Sequence, residues 1–317
     1  MTDDLETDDR FGSSPAEAEL MYARNPTGAT LDGGRVIIDA LVSGKPYTER
    51  WCIGPGGAGL WRARQLVPRE RPVLVSYGSA DPFLSREIYD TWVRYETFGI
   101  APLLYFGYLD GVTPLDEAAF LRLRKRGVYP HMALAEARPD GEQLSLIDPL
   151  SPAEAVRLGL GLCDTLLALD GRGILGLRPE TVYVAGEPGH RYYAGAAPRA
   201  FLMLGYGLGE AHFDPPTLSA FDRGVDEIVY TVALLIWFGL LREHAFICGT
   251  QRNDFDNMCN DVRAPFTGPP ELGRLLEAVL VADVEQRMKA PELREELSKL
   301  AARWGVEPPP FPPPGLA

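Results

Sequence analysis

A glycine-rich loop is the first feature of the sequence that can support chemistry. Gly54, Gly56 and Gly59 form the pattern G-x-G-x-x-G, whose backbone N–H groups can surround the phosphates of a nucleotide. A dinucleotide site requires a helix directly after the glycines. Here the strand-like run Leu60–Arg64 follows them, and another, Glu49–Ile53, precedes them. The sequence therefore predicts a β-hairpin, either as a flap over phosphates or as a tight turn that needs glycine for its backbone angles alone.

A second segment, Ile174–Val184, reads ILGLRPETVYV and follows a predicted long helix. It resembles the catalytic loop of bacterial Ser/Thr protein kinases, whose pattern is H-x-D-L-[KR]-P-E-N-V. The matching residues are Leu177, Arg178, Pro179, Glu180 and Val182. Further landmarks of that family follow in the same chain order, namely Glu87, Asp226 and Arg287. The resemblance implies that Glu87 belongs to the ion-pairing helix and that Arg178, Glu180, Asp226 and Arg287 are structural.

The resemblance runs from Tyr47 to Leu300, but the groups that transfer phosphate are replaced. The family requires a lysine on the third strand, a catalytic aspartate, and an asparagine and a second aspartate that hold metal ions. Ser76, Gly176 and Thr181 occupy the first three of these positions. The D-F-G position has two possible registers, Tyr193–Gly195 or Gly205–Gly207, and neither contains a carboxylate.

The absence of these charged and metal-binding groups does not depend on how the sequence is aligned with the kinase pattern. The sequence has no lysine between Lys45 and Lys125, no asparagine between Asn25 and Asn253, and no aspartate between Asp170 and Asp214. Because charge stabilisation dominates phosphoryl transfer, we expect no transfer activity.

Two residues near the nucleotide position leave alternatives open. Trp61 stands where the family has a small valine over the adenine, so we expect its side chain to fill the pocket. Glu87 is either a solvated helix residue or the partner of a substitute cation, Arg62 or Arg64. Residual ATP binding through the glycine loop is the alternative to a filled pocket, whereas no metal is expected.

The elements that must position these residues fall into two groups. Strand-like runs alternate with Gly and Pro up to Val112, and the helical pattern Ser85–Phe98 interrupts them. The runs are Arg35–Val42, Glu49–Ile53, Leu60–Val67, Pro72–Gly78 and Pro102–Leu109. Arg35–Val42 is too apolar to stay free, so we expect it to pack as an additional strand or helix. No element is assigned between Val112 and Leu150.

Helices dominate the remainder of the chain. Ser151, Pro152 and Glu154 form a capping box with proline at the first helical position, which predicts the start of a long helix. A strand pair is predicted around Thr181–Ala194. Helices are then predicted at Val225–Leu241, Pro270–Ala282 and Pro291–Trp304.

The predicted fold is therefore α+β, with the two lobes of a protein kinase. Residues 1–30 are expected to be a flexible acidic tail, 31–135 the β-rich N-lobe with one helix, 136–304 the helical C-lobe, and 305–317 a Pro-rich tail. The sequence leaves open whether residues 1–46 dock on the N-lobe.

Composition limits the classes of partner and compartment. The chain has 317 residues and a net charge of −13, which argues against nucleic-acid binding and polybasic membrane contact. Its most apolar run, Ile228–Leu241, has 14 residues, fewer than the roughly 20 that a transmembrane helix needs. Cys52, Cys163, Cys248 and Cys259 show no C-x-x-C spacing. Together with the acidic N-terminus, this predicts a cytoplasmic protein.

The resulting functional hypothesis is an inactive kinase-like protein that binds proteins as a scaffold or allosteric regulator in bacterial signalling or assembly. The partner would contact the acidic N-terminal tail or the Pro-rich segment Pro308–Pro314. The alternatives are a metal-independent nucleotide-binding sensor and a divergent nucleotide-dependent transferase.

Overall fold

A computed structural model describes residues 26–43, 59–80, 99–125, 129–168, 177–197, 225–247, 258 and 260–313. Its larger sheet has six antiparallel strands in the order β1-β2-β3-β4-β6-β5. These are β1 (Thr30–Leu31), β2 (Val36–Ser43), β3 (Gly59–Gln65), β4 (Arg71–Ser79), β5 (Leu103–Gly107) and β6 (His131–Ala137). Thus β6 inserts between β4 and β5, although β5 precedes it in the chain.

A smaller sheet and the helices complete the described part of the chain. The sheet has three antiparallel strands, β7 (Glu142–Gln143), β8 (Val182–Ala185) and β9 (Tyr192–Ala196). The helices are α1 (Glu117–Arg124), α2 (Pro152–Ala168), α3 (Val225–Leu241), α4 (Pro270–Val279) and α5 (Ala290–Trp304). The chain therefore combines helices with mostly antiparallel strands, as the sequence predicts. None of the described helices is both long enough and apolar enough to cross a bilayer.

The predicted long helix begins where the sequence places it. The Ser151 N–H donates to Glu154 Oε2 (2.7 Å) and the Glu154 N–H donates to Ser151 Oγ (3.3 Å), so the capping box is confirmed. Glu154 Oε1 also accepts from the N–H groups of Gly189 (2.7 Å) and Arg191 (3.1 Å). One buried carboxylate therefore joins the start of α2 to the turn between β8 and β9.

Two observed elements, α1 and β6, lie in the stretch that the sequence analysis leaves unassigned. The β6 sequence HMALAEA contains mainly residues that favour helices. However, the strand is buried along its whole length and paired on both edges. This tertiary environment outweighs local propensity. The boundary expected between residues 135 and 136 consequently falls inside β6.

The larger sheet has a buried cluster on each face. One face carries Leu31, Val36, Ile38, Trp61, Ala63, Val73, Val75 and Tyr77, together with Leu109, Ala133 and Ala135. On the other face, Leu74 packs with Ala101, Tyr183, Ala194 and Ala197. A third and larger core lies among α2, α3, α4 and α5. The α3 helix has the bounds predicted from the sequence and is buried over most of its length.

Main-chain hydrogen bonds join the two sheets. Ile100, which precedes β5, forms a parallel bridge with Ala196 of β9. The Ala101 N–H donates to the Ala196 carbonyl (2.7 Å), and the Ala196 N–H donates to the Gly99 carbonyl (3.0 Å). The segment that enters β5 is therefore also an edge of the smaller sheet.

Both predicted tails are joined to the described elements where they meet the rest of the chain. The Gly28 N–H donates to the Ile38 carbonyl (2.7 Å), so the end of the predicted N-terminal tail pairs with β2. Arg35–Val42, expected as a packed element, is confirmed as most of β2. At the other end, Gly305 caps α5 in the left-handed conformation and Val306 is buried. The Glu307 carbonyl accepts from Arg157 Nε (3.2 Å), so the Pro-rich segment starts against the helical core.

Candidate functional site

A cavity of about 230 Å³ lies between the two sheets. It is lined by Arg62, Leu74, Arg138, Glu142, Gln143, Leu146 and Tyr183. The larger sheet contributes Arg62 and Leu74, the smaller sheet contributes Glu142, Gln143 and Tyr183, and Arg138 lies on the connection between them. Two guanidinium groups, one carboxylate and an aromatic ring can together bind a small anionic or aromatic molecule.

Tyr183 is the aromatic group of this cavity and is held on two sides. The Gln143 Nε2 donates to the Tyr183 hydroxyl (3.2 Å) and to the Glu180 carbonyl (2.8 Å). The Arg138 guanidinium lies 5.7 Å from the centre of the Tyr183 ring, within cation–π range. The ring therefore has a fixed position with a cation beside it.

The two arginines predicted as substitutes for the missing lysine have different environments. Arg64 forms ion pairs with Asp39 (3.0 Å) and Glu70 (3.6 Å). Its charge is therefore balanced by these two carboxylates at the surface of the sheet. Arg62 lines the cavity and has no ion pair with any described residue. Glu87, the proposed partner of either arginine, lies outside the described residues.

The prediction for Trp61 is wrong. Side chains alternate along a strand, and the register places Arg62 opposite Leu74 and Trp61 opposite Val75. Trp61 therefore points away from the cavity. It is 2% exposed and packs edge-on against Tyr77 at 6.1 Å between ring centres. The sequence interpretation counted from the glycine loop and so assigned the wrong member of this alternating pair to the cavity face.

The glycine loop itself is described only at its end. Gly59 is the first residue of β3, where it lies opposite Tyr77, whereas Gly54 and Gly56 lie outside the described residues. So does Glu49–Ile53, the strand predicted to precede the loop. The observed neighbour of β3 on that side is β2.

Ser76 and Thr181, which the kinase resemblance assigns to two of the replaced positions, are both fully buried. Ser76 is on β4, and its hydroxyl has no hydrogen-bond partner among the described residues. The Thr181 hydroxyl accepts from the Arg178 N–H (2.9 Å) and donates to the Arg178 carbonyl (3.2 Å). Neither hydroxyl faces solvent, and that of Thr181 closes a local turn. Gly176 lies outside the described residues.

Substitutions at these two positions should change stability in opposite directions. Ser76→Ala removes a buried hydroxyl that has no partner, so we expect the free energy of unfolding to rise by about 1 kcal/mol. Thr181→Val keeps the side-chain shape but removes two hydrogen bonds, so we expect a loss of about 1–2 kcal/mol. Urea unfolding of both variants provides the measurement. A destabilised Ser76→Ala variant would contradict this account of Ser76.

Arg287 makes the clearest structural contacts among the family landmarks. Its Nε donates to the Val281 carbonyl (3.0 Å) and its Nη2 to the Ala282 carbonyl (3.1 Å). Its guanidinium also lies 4.7 Å from the centre of the Tyr230 ring. Arg287 therefore connects the segment that follows α4, through the Val281 and Ala282 carbonyls, to Tyr230 of α3.

The other landmarks are placed as follows. Arg178 is buried, and its main chain forms the turn that Thr181 closes. The Glu180 carbonyl accepts from Gln143. Asp226 is the second residue of α3. The structure thus brings Arg178, Glu180 and Thr181 to one turn before β8, while Arg287 lies against α3.

One of the two D-F-G registers falls on β9. Tyr193 is buried, and its hydroxyl donates to the Gly99 carbonyl (2.5 Å). Its ring packs against Gly161 of α2, and Ala194 belongs to the cluster around Leu74. In this register, Tyr193 and Ala194 therefore contribute apolar packing, and Tyr193 also contacts the main chain. The alternative, Gly205–Gly207, lies outside the described residues.

No group of three possible metal ligands occurs among the described residues. His131, His190 and His244 are described and belong to no such group, and His212 lies outside them. Of the cysteines, Cys163 is described and is buried in α2, where burial raises the pKa of its thiol. Cys52, Cys248 and Cys259 are not among the described residues.

Six lining residues of the cavity were missed by sequence reasoning: Leu74, Arg138, Glu142, Gln143, Leu146 and Tyr183. Comparison with models of known protein families gives no match for this chain. Comparison with curated proteins gives no match either.

Proposed function

We propose that this chain has a protein-kinase-like fold without phosphoryl-transfer activity and acts as a protein-binding scaffold or allosteric regulator. The sheet order supports the fold. In the kinase N-lobe, the strand after the ion-pairing helix lies at the sheet edge, and the next strand inserts beside the third. Strands β5 and β6 have this arrangement relative to β4.

The observation that carries the proposed inactivity is the apolar cluster between the sheets. Leu74 of β4 is buried together with Tyr183, Ala194 and Ala197 of the smaller sheet. In a kinase, phosphates and metal ions would have to occupy this neighbourhood. A buried apolar contact disfavours unpaired charges at this place, and Ser76, on the same face of β4, supplies no cation that could hold a phosphate next to a metal ion.

Nucleotide titration tests the proposal. A ligand present at about 100 times its dissociation constant raises the free energy of unfolding by roughly 2.7 kcal/mol, which a thermal-shift measurement detects easily. We expect ATP, ADP and GTP to give no magnesium-dependent increase in Tm, and radiolabelled ATP to transfer no phosphate to basic test proteins. A magnesium-dependent shift accompanied by transfer would refute the proposal.

A second candidate, a metal-independent nucleotide sensor, is favoured by the cavity. Arg62 and Arg138 can neutralise phosphate charge without a metal ion, and Tyr183 offers an aromatic surface to a base. In that case ATP should raise Tm equally with magnesium or with a chelator. The shift should disappear in Arg138→Gln and persist in Arg64→Gln, a control that removes the same charge from an ion-paired site.

A further inference from the structure

Four arginines lie near the turn that carries the exposed side chain of Leu146. Arg62 and Arg138 line the cavity together with Leu146. Arg242 Nη1 donates to the Leu144 carbonyl (2.5 Å) and Arg191 Nη1 donates to the Asp148 carbonyl (3.3 Å). Both therefore lie against the turn that carries Leu146. We call Arg62, Arg138, Arg191, Arg242 and Leu146 the arginine surface.

Within the described part of the chain, no ion pair neutralises the four arginines of the arginine surface. Arg138, Arg191 and Arg242 donate to main-chain carbonyls, and none of the four arginines pairs with a carboxylate among the described residues. Elsewhere on the same protein, arginines such as Arg294 do pair, in that case with Asp164 at 2.8 Å.

The carboxylates near the arginine surface are fewer than its guanidinium groups, so the surface has a net positive charge. Glu142 lines the cavity, and Asp148 lies close enough to Arg242 to act on its pKa. Burial lowers the pKa of Arg242, the Asp148 carboxylate raises it, and the nearby charge of Arg191 lowers it again. The buried Glu136 of β6 lies in the same cross-strand row as Arg62 and adds a third carboxylate. Four guanidinium groups thus stand beside three carboxylates, on a chain whose net charge is −13.

Leu146 gives the arginine surface an apolar centre, since its exposed fraction is 73%. An exposed leucine beside a cavity with a cationic rim suits a peptide that combines an apolar side chain with flanking carboxylates. The complementary pattern occurs in the chain itself. Residues 1–10 read MTDDLETDDR, in which five carboxylates flank Leu5.

We propose that residues 1–10 of this chain dock on the arginine surface, with Leu5 at Leu146 and the flanking carboxylates on the arginines. The inference rests on the proposed function, because a nucleotide-binding enzyme would need this cavity for its substrate. The 15 residues between Arg10 and Pro26 can span about 50 Å when extended. A tethered segment also has an effective concentration on the order of 1 mM, so the contact regulates access of other acidic partners.

A competition experiment on the full chain tests this docking. The probe is a synthetic peptide of residues 1–10, labelled at its C-terminus and measured by fluorescence anisotropy. The receptors are the wild-type chain and a chain with a neutralised tail, D3N/D4N/E6Q/D8N/D9N. We expect the neutralised-tail chain to bind the peptide at least about tenfold more tightly, because its own tail no longer competes.

Variants of the arginine surface locate the binding. In the neutralised-tail background, R62Q/R138Q should weaken peptide binding at least about tenfold, because two charge-assisted contacts are lost. R64Q is the matched control on the same strand and should change affinity by less than about twofold. A peptide with Asn and Gln in place of its carboxylates should not bind. Thermal melting of each variant confirms that it is folded.

The outcomes separate this inference from the proposed function. Absence of peptide binding, or equal affinity for R62Q/R138Q and R64Q, would overturn the arginine surface as the site. Equal affinity for the wild-type and neutralised-tail chains would overturn the chain's own tail as the occupant. Neither result bears on phosphoryl transfer, which the nucleotide titration measures separately.

Discussion

Gly141→Ala is expected to lower the free energy of unfolding by about 3 kcal/mol. Gly141 has φ +85° and lies beside β8, where a Cβ atom would overlap the Val184 carbonyl oxygen and lie 2.7 Å from its carbon. Both are main-chain atoms of a paired strand, so they cannot rotate away. The left-handed conformation costs about 1 kcal/mol, and the overlap adds about 1–3 kcal/mol.

Gly111→Ala is the matched control for this prediction. Gly111 has nearly the same backbone angle, φ +82°, but nothing lies within 4 Å of the position of its Cβ atom. This variant should therefore lose only the conformational part, about 1 kcal/mol. Thermal unfolding measures both. Equal losses in the two variants would mean that the connection carrying Arg138 moves freely relative to β8, contrary to the structure.

Glu154→Gln should also cost about 3 kcal/mol, since a buried carboxylate that accepts charge-assisted hydrogen bonds is hard to replace. The two oxygens of Glu154 accept from the N–H groups of Ser151, Gly189 and Arg191. The amide of glutamine would place an N–H donor against at least one of these main-chain N–H groups, which are donors themselves. The variant should therefore loosen both the start of α2 and the turn between β8 and β9.

The pH dependence of this loss identifies its origin. Burial raises the pKa of Glu154, but hydrogen bonds from Ser151, Arg191 and Gly189 together lower it by more than burial raises it. The pKa of Glu154 therefore lies below its ordinary value. Stability from a lowered carboxyl pKa is present above the unfolded value of about 4.3 and is lost as the pH falls through the folded value. The Tm difference between wild type and Glu154→Gln should thus be constant near neutral pH and shrink in acid.

Glu292 provides the control carboxylate. It accepts from the Lys289 N–H (3.0 Å) at the start of α5, in an exposed capping box. Glu292→Gln should cost less than about 1 kcal/mol. A Glu154→Gln loss as small as that of Glu292→Gln would contradict the bridging role assigned to Glu154.

Local signals in the sequence account for much of the observed secondary structure. Ser151 and Glu154 lie within one helical turn, so their capping box is visible in the sequence and is confirmed. The apolar run of α3 is equally local. The β6 strand is different, because its residues favour a helix and become a strand only through pairing with β4 and β5.

The candidate site was less predictable than the fold because it depends on strand register. Whether Trp61 or Arg62 faces the cavity changes with a shift of one residue, and β2, which pairs with β3, has two irregularities. Arg138 and Tyr183 are 45 positions apart in the chain and meet only because the two sheets are adjacent. The absence of lysine, asparagine and aspartate from the three stretches named above, in contrast, is a property of composition and required no register.

The hydrogen bonds between Gly99–Ala101 and β9 have a consequence for association. An enzyme that closes around substrates must open again in each turnover, and here opening would break main-chain bonds between the sheets. Such bonds favour one arrangement of the two sheets that form the walls of the cavity. The partner proposed above would then meet a preorganised surface and incur little entropy loss for ordering it, so differences in affinity between such partners should reside in their dissociation rates.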